Sequence, residues 1–131
     1  DGATDVYVAD TIGELGLFYR LAPVVFMGGS LVPHGGQNPI EPGKLGAAIL
    51  HGPHVHNFTD VYAALDRDGG SMAVQDAQGL ASTVGALLSD VARLRAMARA
   101  AGETVEGLGG AVDRTMQAIE PFLMHMQLAG R

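Results

Sequence analysis

Short uninterrupted apolar runs alternate with amphipathic stretches along the first 90 residues, and this alternation constrains the fold more than any other feature of the chain. The runs are Asp5 to Ala9, Val24-Val25-Phe26-Met27, Ala47 to Leu50 and Ser71 to Val74, mostly bounded by Gly or Pro. Runs of this length without polar alternation suit strands buried on both faces. Between them lie helical patterns. Thr11 to Leu21 follows Asp10 or Thr11 as N-cap, carries Glu14 in its first turn and stops at Pro23. Pro39 opens a short helix reaching about Leu45, after a Gly, Pro and His loop over Ser30 to Asn38. Asn57 caps a helix from Phe58 to Arg67 with Val61, Tyr62 and Leu65 on one face, ended by Asp68-Gly69-Gly70. Asp76 caps a fourth with Leu80, Val84, Leu87 and Leu88 inward. Caps, proline at the first turn and glycine past the end are the start and stop signals of these helices. Four strand–helix alternations at spacings of ~20 to 25 residues predict βαβ units, hence an α/β fold with a Rossmann-like parallel sheet and helices on both faces.

After Asp90 the strands stop. Val91, Leu94, Met97, Ala98 and Ala101 form one helical stripe, and Val112, Met116, Ile119, Leu123 and Met126 form another. The pattern predicts two trailing helices, the last kinked or broken at Pro121.

Composition narrows the function. With 47% hydrophobic and 17% charged residues over 131 positions, the chain fills the core of one domain and is not disordered. Zero Cys excludes disulfides and thiolate metal sites, and zero Trp argues against sugar stacking on indoles. A net charge of -6 with a single Lys argues against general nucleic-acid binding. No apolar stretch reaches the 18 or more residues that a membrane span needs. The chain opens on Asp1 and runs directly into Val6-Tyr7-Val8-Ala9, which predicts a portion of a longer protein whose N-terminal part holds any membrane anchor.

The segment from Leu21 to Thr59 carries the chemistry. Its formal charges are Glu41 and Lys44, yet it holds His34, His51, His54 and His56 of the five histidines. An apolar segment with isolated polar groups in Gly-rich loops is what a pocket at the C-terminal edge of a parallel sheet requires. Gly28-Gly29-Ser30 directly follows an apolar run; glycine lets the backbone approach a ligand, and Ser30 can donate to a phosphate oxygen. Gly35-Gly36-Gln37-Asn38-Pro39 leads into a helix start, an anion-binding arrangement. Glu41 has two readings. It closes a capping box on Asn38, or it accepts hydrogen bonds from the vicinal hydroxyls of a ribose. His51, His54 and His56 lack a second ligand cluster, so no metal is expected. No Gly-x-Ser-x-Gly elbow is present, which argues against a hydrolase triad.

Asp10-Thr11-Ile12-Gly13-Glu14-Leu15, Gly28-Gly29-Ser30-Leu31, Gly35-Gly36-Gln37-Asn38-Pro39-Ile40-Glu41-Pro42 and Gly52-Pro53-His54-x-x-Asn57-Phe58 resemble, in order and spacing, the C-terminal half of the 3-deoxy-D-manno-octulosonic acid (Kdo) transferases. The resemblance covers residues 5 to 124. It departs where Gln37 stands for the family's usual His and Pro42-Gly43 for Ala-Ala. It implies part of the C-terminal domain of a two-domain glycosyltransferase B fold, with residues 1–90 as the portion binding the nucleotide sugar CMP-Kdo and residues 91–131 as helices completing the domain. The donor would meet Gly28, Gly29, Ser30, Gly35, Gly36, Asn38 and Glu41, with Glu14, His54 and Asn57 lining the pocket. The full-length enzyme is expected to pass Kdo from CMP-Kdo to lipid A precursor at the cytoplasmic face of the bacterial inner membrane. Inversion is expected, without a covalent intermediate, metal or cofactor. The catalytic base and acceptor site would lie outside this chain, which alone is expected to be inactive. Two other readings share the Gly-rich turns: another nucleotide-sugar transferase or epimerase of the same fold, and a non-catalytic α/β binding module.

Overall fold

The structure is a computed structural model that describes residues 2–129, with side chains described to residue 120. Its elements are α1 (Leu15–Leu21), β1 (Val24–Phe26), α2 (Ile40–Lys44), β2 (Ala48–His51), α3 (Thr59–Asp68), β3 (Ser71–Ala73), α4 (Ala77–Ser89) and α5 (Val91–Ala129). The strands form one parallel sheet in the order β1-β2-β3. Val25 pairs with Ile49, and Ile49 with Ser71.

Every residue of the central strand β2 is buried, as its uninterrupted apolar run predicts. Successive side chains point to opposite faces. Ala48 and Leu50 join Leu87 and Met97 on one face, with Val24, Phe26, Met72, Leu80 and Val84 packed around them. Ile49 joins Met27, Tyr62, Leu65, Ala101 and Val105 on the other. Helix α4 therefore covers the first face and α3 the second, which gives the expected α/β architecture with helices on both faces. Helix α5 contributes to both clusters, Met97 to one and Ala101 with Val105 to the other. It reaches both faces because glycines let it come close: a Cβ at Gly70 would stand 2.6 Å from the Ala101 backbone, and one at Gly43 would stand 3.1 Å from Val105.

Several expectations are corrected. Asp5 to Ala9 is not a strand, and Val6, Tyr7 and Val8 are exposed, so among the described residues the sheet has three strands instead of four. β-Branched residues favour extended backbone, but a strand exists only with a ladder partner, and this segment has none among the described residues. Helix α1 starts at Leu15 instead of Thr11 because Gly13 takes a left-handed φ of 96° that a helix cannot include. The residue before it is Glu14, whose carboxylate accepts from the Thr11 hydroxyl, so neither Asp10 nor Thr11 is the cap. Leu88 is exposed rather than inward, and Val91, at the head of the first stripe, is exposed as well. Asp76 does cap α4, accepting from the Gly79 N–H at 2.7 Å, and Gly69 ends α3 at a left-handed φ of 79°.

The two trailing helices are one helix of 39 residues, assigned without a break through Pro121. Gly102, Gly107, Gly109 and Gly110 stand where a boundary was expected. Each costs about 1 kcal/mol relative to Ala, which weakens a helix that is already nucleated but does not stop it. The second stripe is not a buried face: Val112, Met116 and Ile119 are exposed, and the side chains of Leu123 and Met126 lie outside the described residues. Among the described residues, no helix is long and apolar enough to cross a membrane.

Candidate functional site

Parallel strands all end at the same edge of a sheet, so the loops after β1 and β2 must meet there. Four hydrogen bonds stitch them together, and a fifth, from Gly36 to Gly29, closes the β1 loop on itself. The Gly36 N–H donates to Gly29 O at 3.0 Å, the His54 N–H to Ser30 O at 2.9 Å and the Asn57 N–H to Gly35 O at 3.1 Å. The Asn57 amide donates to His34 O at 3.3 Å, and the Gly52 N–H donates to the Ser30 hydroxyl at 2.8 Å. Gly28, Gly29, Ser30, Gly35, Gly36, His54 and Asn57 are thereby drawn into one structure.

The glycines are required by geometry. Gly35 has φ 106°, and a Cβ there would stand 2.3 Å from the Asn57 side chain. Gly29 has φ 67° and lies against the His34 ring. Gly28 has open space on its Cβ side and is exposed, as close approach by a ligand demands.

Ser30 differs from expectation. It is fully buried, and its hydroxyl donates to Met27 O at 2.5 Å while accepting from Gly52. The proton expected to face a phosphate is spent inside the protein, and the side chain fastens one loop to the other. Asn57 likewise does not cap α3. Phe58 precedes that helix without a side-chain cap bond, because the Asn57 amide is turned to His34 O.

Helix α2 begins beside this edge. Asn38 Oδ1 accepts from the Ile40 N–H at 3.0 Å, which is half of a capping box. Glu41 does not supply the other half. Its carboxylate is exposed and turned toward α1, where Oε1 would stand 3.2 Å from a Cβ on Gly16. Burial, with Glu41 nearby, pushes the Tyr19 phenol above its ordinary 10.0. Glu14, at the start of α1, lies two residues from Gly16 and is exposed.

Behind the edge lies a polar cluster that composition and motif spacing did not single out. His51, at the end of β2, is 3% exposed. Its Nδ1 lies 2.7 Å from Gly52 O, and its Nε2 lies 3.0 and 3.2 Å from the two Asp66 carboxylate oxygens. The Ser71 hydroxyl donates to Asp66, and the Tyr62 ring packs 4.6 Å from the imidazole. Burial opposes the charge on His51, but the bonds to Asp66 and Gly52 O outweigh it and raise its pKa above 6.5. Burial also works against the Asp66 charge, yet the His51 and Ser71 bonds hold its pKa below 3.8. A signal did exist in the sequence. A His that ends an apolar strand needs a polar partner, and Asp66 follows Tyr62 by one helical turn along α3.

Tyr62 extends this support to the second glycine pair, its hydroxyl donating to Gln37 O at 2.7 Å. Tyr62→Phe removes one hydrogen bond and should cost about 1 kcal/mol in a denaturant melt. A melt unchanged within error would show that the bond holds nothing in place.

Fold and edge together define the class: an α/β domain of the Rossmann-like type found in glycosyltransferases, with its candidate site on loops at the C-terminal ends of parallel strands. Sequence comparison is more specific. The chain is 36% identical over 119 residues to the 3-deoxy-D-manno-octulosonic acid transferase of Bordetella pertussis, covering 91% of this chain and 28% of that protein. It is 34% identical over 121 residues to the enzyme of the same name from Haemophilus influenzae, covering 92% and 28%. Among solved structures, it matches the C-terminal CMP-Kdo binding domain of WaaA from Acinetobacter baumannii with a TM-score of 0.75 and 34% identity, covering 79% of this chain and 54% of that one. No protein-family model matches the chain. The chain belongs to the Kdo transferase family, and it spans 28% of the length of the two curated relatives above.

Proposed function

We propose that the chain is the donor-binding part of a Kdo transferase, holding the CMP group of CMP-Kdo at the edge built by Gly28, Gly29, Ser30, Gly35, Gly36, Asn38 and Glu41, with Glu14, His54 and Asn57 around it. One observation carries the reading. Two glycine turns with left-handed backbone are tied to each other, and to the loop after β2, at the C-terminal edge of a sheet whose fold matches a CMP-Kdo binding domain. The glycine turns would bring backbone to the phosphate, where charge develops as CMP departs. Ser30 would serve this edge by fixing the turn, its hydroxyl being committed within the protein. The full-length protein would move Kdo to lipid A precursor with inversion, at the cytoplasmic face of the inner membrane.

Glu41 supplies the test. It stands in an almost charge-free segment, in the first turn of α2, with a carboxylate that closes no capping box. A carboxylate accepting from vicinal ribose hydroxyls makes charge-assisted bonds of roughly 1.5 to 3 kcal/mol. Glu41→Gln should therefore weaken CMP binding by about 10- to 100-fold, at 1.4 kcal/mol per decade, with the melt midpoint unchanged. Calorimetric titration of CMP into both chains measures the first, and a denaturant melt the second. Equal CMP affinity in the two chains would remove Glu41 from the site, and equal affinity for CMP and UMP would argue against a CMP-sugar donor.

A further inference from the structure

We propose that His51 is a positioning residue for the donor edge, a doubly protonated ring that clamps the Gly52 carbonyl, so that donor affinity falls when the ring loses its second proton. The proposal rests on the donor-edge reading above and adds a proton-controlled support to it.

The geometry sets the charge. Gly52 O can only accept, and an ionised carboxylate can only accept. Both ring nitrogens of His51 face such atoms, at 2.7 Å and 3.0 Å. A neutral imidazole has one N–H and would turn a lone pair on one of these oxygens. Asp66 is 41% exposed on its side chain and takes a further bond from the Ser71 hydroxyl, conditions that keep it ionised. The other ring near His51 is Tyr62, whose phenol burial raises far above neutrality, so it stays uncharged. Helix α5 brings Ala101 and Val105 to this face. Asp66 is thus the charged group that faces the ring, with Tyr62 of α3 and Ser71 of β3 as its neutral neighbours.

The clamp acts on the site through Gly52. His51 holds the Gly52 carbonyl, and the Ser30 hydroxyl holds the Gly52 N–H. Ser30 O in turn takes the His54 N–H. When the ring becomes neutral, its remaining proton stays on Nε2 against the carboxylate, where the bond is charge-assisted. The Nδ1 lone pair then faces Gly52 O, and the peptide must turn away. It cannot turn into Ser30, because even a Cβ at Gly52 would stand 2.1 Å from Ser30 O. The loops that form the edge would lose their register.

The sign follows from the raised His51 pKa. The clamp is complete below 6.5 and is lost as pH rises through the folded-state value. On the acid side, Asp66 preserves it until pH falls through its own lowered value.

Asp66→Asn provides the test, because it removes the charge without removing the contacts. The new amide donates to Nε2 of a neutral ring, which leaves Nδ1–H on Gly52 O at every pH. In the wild-type chain, ring nitrogen NMR should show both nitrogens protonated at pH 6 and a transition above 6.5. CMP affinity should fall by about tenfold between pH 6 and 9, a 1.4 kcal/mol change. In Asp66→Asn the transition should move to or below 6.5, and affinity at pH 9 should exceed the wild type. Protonation of the CMP phosphate affects both chains alike. His51→Phe should bind CMP at pH 6 as weakly as the wild type does at pH 9. A single ring proton at pH 6, or matching pH profiles in wild type and Asp66→Asn while CMP is bound, overturns the proposal. Failure of the wild type to bind CMP at any pH overturns the donor-edge reading and this proposal with it.

Discussion

Gly52→Ala should lose more than about 3 kcal/mol of stability, the largest effect expected of any single methyl group at the candidate edge. The added Cβ would stand 2.1 Å from Ser30 O and 2.4 Å from Ser30 C, both backbone atoms of the facing loop. No rotamer relieves a clash between a Cβ and a main chain. Either the β1 loop moves or the Gly52 N–H leaves the Ser30 hydroxyl, and both dismantle the stitching. The thermal midpoint should drop by roughly 10 °C, on the scaling for a domain of this size. CMP affinity should fall in whatever fraction remains folded. Gly28→Ala is the control: nothing lies within 4 Å of a Cβ there, so stability should change by no more than about 0.5 kcal/mol. A Gly52→Ala chain that melts with the wild type would show that the two loops are not in this contact.

Leu50→Ala should cost about 3 to 5 kcal/mol while leaving CMP affinity in the folded fraction unchanged. Leu50 is fully buried in the central strand, among Ala48, Leu87 and Met97. Rigid backbone on both sides of β2 keeps that space from collapsing, which places the cost in the upper part of the usual range. The side chain points at the α4 face, away from the His51–Asp66 cluster. Chemical denaturation followed by circular dichroism measures the loss. A cost below about 1 kcal/mol would mean that the strand is not packed as described. The contrast with Gly52→Ala separates a residue that holds the fold from one that also shapes the site.

Much of this architecture is legible in the sequence, for reasons that particular residues show. Ala48 to Leu50 reads as a doubly buried strand because nothing polar interrupts it, and the contacts on both faces agree. Asp76 and Gly69 act locally, through their own side chain or backbone freedom, and the first starts a helix and the second ends one where expected. Contacts with distant partners are harder to see in a sequence. Val6-Tyr7-Val8 has strand composition, but pairing depends on a neighbour that local pattern cannot supply. Asn57 has good capping chemistry, yet a tertiary acceptor on His34 outcompetes the helix end. Ser30 was expected to face a ligand and instead joins two loops 22 residues apart. The glycines at 28, 29, 35 and 36 were singled out because backbone close approach has a sequence signature, whereas the His51–Asp66 pairing crosses 15 residues and has only a weak one.

Helix α5, which follows all the strands of the sheet in sequence, seals both hydrophobic clusters. A nascent polypeptide that has delivered β1, β2 and β3 still lacks Met97 for one core and Ala101 and Val105 for the other. Neither face of the sheet can close by itself ahead of its counterpart. The two cores therefore rise and fall as one cooperative unit, and neither is complete until α5 is in place.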